Sequence, residues 1–266
     1  TNFFSLDASP RLISNSLTVL GLTGFVILIL FITGWAACRI FRLEGAEAAI
    51  FKAHSMFGNT IFLGFPLITA LYGTEGLLYA SMYQLVSSII LWTAGVIILS
   101  HGNGSSGKKS LLKVFNPNTI ATIAGLLFFL TRVRLPDVII KPMAQLGSAN
   151  TWLSMLYIGA LMSFSRVGGL IKRKSIYLLS LNRLVVMPAI LIALFYFTGA
   201  VTGVLPEKLV SSVIILEASM PCMATVVIMA REFGSDDTIA VANVFVSTLL
   251  SILTLPLLTM ALNRLM

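Results

Sequence analysis

Apolar runs of about 15–25 residues, separated by short gaps in which the charges collect, make up nearly the whole 266-residue chain. Runs of this length suit helices crossing the hydrocarbon core of a bilayer, which takes roughly 20 apolar residues. The pattern predicts eight spans, at about 16–38, 53–72, 77–99, 117–131, 149–165, 176–198, 209–230 and 238–262. Each is expected to be a helix, because hydrocarbon supplies no partner for a backbone N–H or C=O and a helix satisfies both internally. Ala36-Ala37-Cys38 faintly resembles a cleavage or lipidation site, but the first span is too long for a signal peptide and has no basic leader.

Composition agrees: 57% of the residues are hydrophobic and only 11% charged, against about 25% charged in soluble domains. Too few charges remain to cover a water-facing surface, so soluble enzyme classes are set aside. The net charge of +8 does not point to nucleic acid, since the basic residues lie in the gaps between spans, where such charge sets topology. Taken alternately, the gaps hold ten basic residues on one side (Arg39, Arg42, Lys108, Lys109, Lys113, Arg166, Lys172, Arg173, Lys174 and Arg231) and six on the other. The ten-residue side is expected to be cytoplasmic, with the 101–116 loop on it and both termini outside. Cys38 and Cys222 both fall inside apolar runs and match no disulfide framework or zinc spacing. Gly102-Asn103-Gly104-Ser105-Ser106-Gly107 fits a dinucleotide fingerprint by letter, but no strand or βαβ unit surrounds it.

An internal repeat shows in the punctuation between spans. Leu71-Tyr72-Gly73-Thr74-Glu75 and Glu232-Phe233-Gly234-Ser235-Asp236 each place an aromatic and a glycine at one helix end, then a hydroxyl and an acid at the next start. Gly58, Gly64 and Pro66 in the second span and Pro221 in the seventh suggest paired discontinuous helices, the usual mark of a transporter's binding site. On the topology above those two spans run in opposite directions, so the repeats are inverted. The division expected is 1–100, the remainder of a first repeat with three spans; 101–116, a cytoplasmic linker; and 117–266, a second repeat with five. Two further spans are expected before Thr1, which makes eight present of ten.

Two segments carry the candidate chemistry. In the first, Pro66 removes a helical hydrogen bond, Gly58 and Gly64 ease unwinding, and Asn59 offers an amide; the alternative is a kink with small residues packing helix on helix. In the second, Glu217 lies about eight residues into a span, where an ionisable group is by default a functional candidate. It either binds a proton or cation or pairs with Arg183. Arg183, about seven residues into its own span, is read as snorkelling to the cytoplasmic interface or as structural, and His54 as a satisfied polar side chain. With His54 and His101 as the only histidines, no metalloenzyme cluster or catalytic triad can be assembled and no enzyme is expected.

At these segments the chain resembles the auxin efflux carrier family of membrane transporters, in its bacterial form. The resemblance rests on Phe57-Gly58-Asn59-Thr60-Ile61-Phe62-Leu63-Gly64-Phe65-Pro66, on Met220-Pro221 through Arg231-Glu232-Phe233-Gly234-Ser235-Asp236-Asp237, and on Val246-Ser247-Thr248-Leu249-Leu250-Ser251-Ile252-Leu253-Thr254-Leu255-Pro256. It implies two inverted five-helix repeats whose broken fourth and ninth helices cross at prolines near the substrate, positions that match Pro66 and Pro221. The expected function is secondary transport of a small organic anion, a carboxylate or auxin-like acid. Asn59, Gly64, Pro66, Pro221 and Thr225 are expected at the substrate and Glu217 as the ion- or proton-coupling group. No cofactor or metal is required. The expected partners are the lipid bilayer of a plasma or bacterial inner membrane, the anion, a proton or sodium ion and a second copy in a homodimer, with no nucleic acid. The rival readings are a non-transporting scaffold or sensor and a channel.

Overall fold

A computed structural model describes residues 9–101, 136–164, 172–202 and 206–265, together with positions 120, 124, 128 and 131. The expected 101–116 linker and the span at 117–131 lie almost wholly outside the described residues. Among the described residues the chain is helical, with no strand and one isolated antiparallel bridge, between Gly58 and Cys222. Four helical stretches among the described residues are long and apolar enough to cross a membrane, Pro10–Ile40, Thr60–Ser100, Lys174–Gly199 and Asp237–Arg264. The protein is an all-α membrane protein.

The first helix, α1 (Pro10–Ile40), starts where Ser9 caps it by accepting from the Leu12 N–H at 3.3 Å, with Pro10 in the first turn. Its 31 residues extend about 46 Å at 1.5 Å each, enough to cross with turns to spare. The next helix, α2 (Gly45–Met56), stops at Phe57, and the chain re-enters helix through a π-helical turn, Thr60–Gly64, leading into α3 (Phe65–Ile90). Gly73 interrupts α3 with φ 65°, so the boundary read from the sequence at that glycine is real. A further π-helical turn, Leu91–Gly95, leads into α4 (Val96–His101). The helix expected from about 149 begins earlier, as α5 (Asp137–Phe164), and continues through Pro142.

The same order of elements then recurs. A long rod forms from α6 (Lys174–Leu181), a π-helical turn Asn182–Val186, and α7 (Met187–Thr202). A short helix α8 (Lys208–Ala218), a break, and a short helix α9 (Ala224–Glu232) follow. Gly234, at φ 72°, then turns the chain into α10 (Asp237–Leu265), whose start Asp236 caps by accepting from the Thr238 and Ile239 N–H groups at 3.1 and 3.2 Å. The lengths explain where the break falls. With 11 and 9 residues, α8 and α9 extend about 16 and 14 Å, which together match the roughly 30 Å hydrocarbon core and put the break near its middle.

α1 packs on α2 and α3, α3 on α8, and α10 on α6 and α9. The core between them holds Val19, Ile27 and Leu30 of α1, Phe51 of α2, Tyr83 of α3 and Val213 and Ile214 of α8. Large apolar side chains such as Phe25, Trp35, Ile252, Leu253 and Leu257 remain on the outside. That surface is costly in water and costs nothing against lipid tails.

Candidate transport site

Two broken helices meet back to back. The three-residue link Phe57–Asn59 and the link Ser219–Met223 run antiparallel through the Gly58–Cys222 bridge, with the Asn59 N–H donating to the Pro221 carbonyl at 2.7 Å and the Met223 N–H to the Phe57 carbonyl at 3.3 Å. These bonds satisfy backbone groups that the breaks strip of helical partners in mid-bilayer. The site is built outward from this crossing. Asn59 caps the new turn, its side-chain oxygen accepting from the Phe62 N–H at 3.3 Å. Beside it the Thr60 hydroxyl donates to Gln84 of α3, whose amide donates to Ser88 at 2.9 Å. On the other strand the Cys222 N–H donates to the Ser247 hydroxyl of α10 at 3.0 Å.

Arg183 is fully buried at the crossing, projecting from the π-helical turn of the α6–α7 rod. Its Nε donates to the Met220 carbonyl at the end of α8, and its Nη1 donates to the His54 and Ser55 carbonyls at the end of α2, at 2.9 and 2.7 Å. The expectation that Arg183 snorkels to the interface is therefore corrected: the C-terminal ends of two half helices, each carrying partial negative charge, draw it inward. Gly58 makes room, since a Cβ there would lie 2.1 Å from Arg183 Nη2.

Glu217, on the last turn of α8, is also fully buried, and neither carboxylate oxygen has a hydrogen-bond partner among the described residues. It does not pair with Arg183: among the described residues no ion pair within 4.0 Å joins them. Its carboxylate rests instead against Gly64, where a Cβ would lie 2.7 Å from Oε2. His54 behaves as read, a satisfied buried side chain, with Nε2 donating to the Met223 carbonyl at 3.3 Å and Nδ1 accepting from Asn243 at 3.3 Å.

The structure thus gathers Asn59, Gly64, Pro221 and Glu217, with Thr225 in the first turn of α9. Pro66 stands apart. It is exposed, in the first turn of α3 beyond the π-helical turn, and the first helix breaks eight residues earlier, at Gly58. Arg183 was singled out in the sequence but not placed at the crossing, and the supporting Gln84, Asn243 and Ser247 were missed. Two grooves, of about 750 Å³ beside α6 and α10 and about 330 Å³ between α3 and α10, touch neither Arg183 nor Glu217 and open on the apolar flank. Among the described residues no cluster of three His, Cys, Asp or Glu side chains is placed to hold a metal.

Residues 6–259 match the family described as "Membrane transport protein", an auxin efflux carrier-like family. The chain belongs to that family. It is 29% identical over 94% of its length to an "Uncharacterized transporter" of Methanothermobacter thermautotrophicus, covering 84% of that protein. It is 26% identical over 82% of its length to an "Uncharacterized transporter" of Methanocaldococcus jannaschii, covering 70% of that one. Membership makes this a membrane transporter, and a transported substrate and a lipid bilayer are its minimum partners.

Proposed function

We propose that the chain is a secondary transporter of a small organic anion, a carboxylate or auxin-like acid, working by alternating access around the crossing. The observation that carries this reading is the antiparallel Gly58–Cys222 crossing of two helices broken in mid-bilayer, with Arg183 buried against it and Glu217 left unpaired. Broken helices of this kind aim half-helix N-termini at an anion. The turn opened by Asn59 and the start of α9 at Thr225 are the two such ends, and Asn59 orients the carboxylate. Glu217 is the group that takes up and releases a coupling proton or cation, because a buried carboxylate without a partner is costly while charged and cheap once neutralised.

The recurring order of elements supports two inverted repeats, at 1–100 and 117–266, with 101–116 as the cytoplasmic link between them and both termini outside. Reconstituted into proteoliposomes, the chain is expected to take up radiolabelled indole-3-acetate or short-chain carboxylates in preference to amines or neutral sugars of similar size. Uptake confined to amines or sugars contradicts the reading.

A further inference from the structure

Three backbone carbonyls from the ends of two different half helices converge on one guanidinium: Met220 of the α8 end, and His54 and Ser55 of α2. Carbonyl oxygens at unwound helix ends, pointing at one place in the middle of a membrane, are what otherwise coordinates a desolvated monovalent cation. Here the place is filled from the side by a charge on a covalent tether. A guanidinium keeps its proton under physiological conditions, so this cation stays charged and, being tethered, cannot leave during a cycle. The fit is specific. A Cβ at Gly58 would lie 2.1 Å from Nη2, so any side chain there would displace the guanidinium, and the π-helical turn Asn182–Val186 re-aims the rod locally, as such turns do at functional sites. Among the described residues Arg183 forms no ion pair within 4.0 Å, with Glu217 or any other acid, and its hydrogen bonds go to those carbonyls.

We propose that Arg183 is a tethered cation that permanently occupies the position between the two half-helix C-termini, so that the crossing neither needs nor binds a sodium ion there and Glu217 alone is left to exchange a charge. This rests on reading the crossing as the transport site. Its own content is cation binding, which is measured without transport, so a failure of carboxylate uptake and a failure of this proposal are separate results.

The test is the melting temperature of the purified chain in sodium chloride against N-methylglucamine chloride at equal ionic strength. It is made in a Glu217→Gln background, so that only the carbonyl position is read. The parent is expected to melt at the same temperature in both salts. Adding Arg183→Ala is expected to lower melting by several degrees in N-methylglucamine and to create a saturable recovery in sodium, because the vacated carbonyls then accept the small ion. Adding Arg183→Lys, which keeps a charge in place, is expected to melt below the parent and to stay indifferent to sodium. A saturable, sodium-specific rise in the parent overturns the proposal. So does a sodium response of the Lys variant, or a folded Ala variant that ignores sodium. Where the Ala variant does not fold, the parent and Lys arms decide.

Discussion

Arg183 and Glu217 are both fully buried, charged in their ordinary state, and close to one crossing, yet they are not partners. Each therefore answers to its own surroundings. Removing the Arg183 guanidinium leaves the Met220, His54 and Ser55 carbonyls unsatisfied, and Arg183→Gln is expected to cost about 3–5 kcal/mol, the usual penalty for breaking a buried charge network. Glu217→Gln replaces a buried, unpaired carboxylate by a neutral isostere and is expected to leave the melting temperature unchanged or raise it. The double variant should then show the two effects added. Restored stability in the double variant, measured by thermal melting in detergent, would mean that the two side chains pair after all. Glu217 and Asn59 stood out in the sequence because a polar side chain inside an apolar run has few structural excuses, and both are buried beside the crossing. The role of Arg183 was not. Seven residues from a span's start is snorkelling distance, and what pulls the side chain inward is backbone carbonyl, which no pattern of side chains displays.

At the scale of elements, the breaks follow from where helix ends can be satisfied, and of the two prolines Pro221 is the one whose backbone bonds across the crossing. Pro221 is buried and its carbonyl accepts from Asn59 across the crossing. Pro66 is exposed, where the preceding π-helical turn, Thr60–Gly64, has already altered the hydrogen-bond register. Pro221→Ala is accordingly expected to abolish uptake while the protein still inserts. Pro66→Ala, at an exposed first-turn position, is expected to keep uptake and to melt within about 0.5 kcal/mol of wild type. Equal loss of uptake in both would return Pro66 to the site. The sequence carried the glycine punctuation correctly, because positive φ at Gly73 and Gly234 is something only glycine supplies readily. It misplaced the first break because a proline is a louder signal than Gly58, whose need for openness comes from Arg183, more than a hundred residues away.

At the scale of the molecule, polar clasps tie the two sets of helices at both ends. Where α1, α8 and the part of α3 after Gly73 begin, Arg11 pairs with Glu207 and lies 3.5 Å from Glu75, and Asn15 donates to both Glu207 and the Tyr79 hydroxyl. At the other end Ser175 donates to Glu47 at 2.5 Å, with Arg173 at 3.9 Å. The hydrogen bond from Arg11, ahead of that from Asn15, holds the Glu207 carboxyl below its usual range. A depressed carboxyl contributes stability above its unfolded pKa, near 4.5, and loses it as pH falls through the folded value. Because the clasp is solvent-exposed the contribution is small, of order a few tenths of a kcal/mol. Wild type is thus expected to melt slightly above Glu207→Gln at neutral pH, with the gap closing in acid. A gap that widens in acid contradicts the assignment.

The most direct test of transport at the crossing is gradient-driven uptake in proteoliposomes, using whichever carboxylate the wild type accumulates best, compared between wild type and Glu217→Gln. The wild type is expected to accumulate the carboxylate in response to an imposed proton or sodium gradient. Glu217→Gln is expected to equilibrate it without responding to either. Uptake by Glu217→Gln that still follows the gradient would place the coupling elsewhere in the molecule.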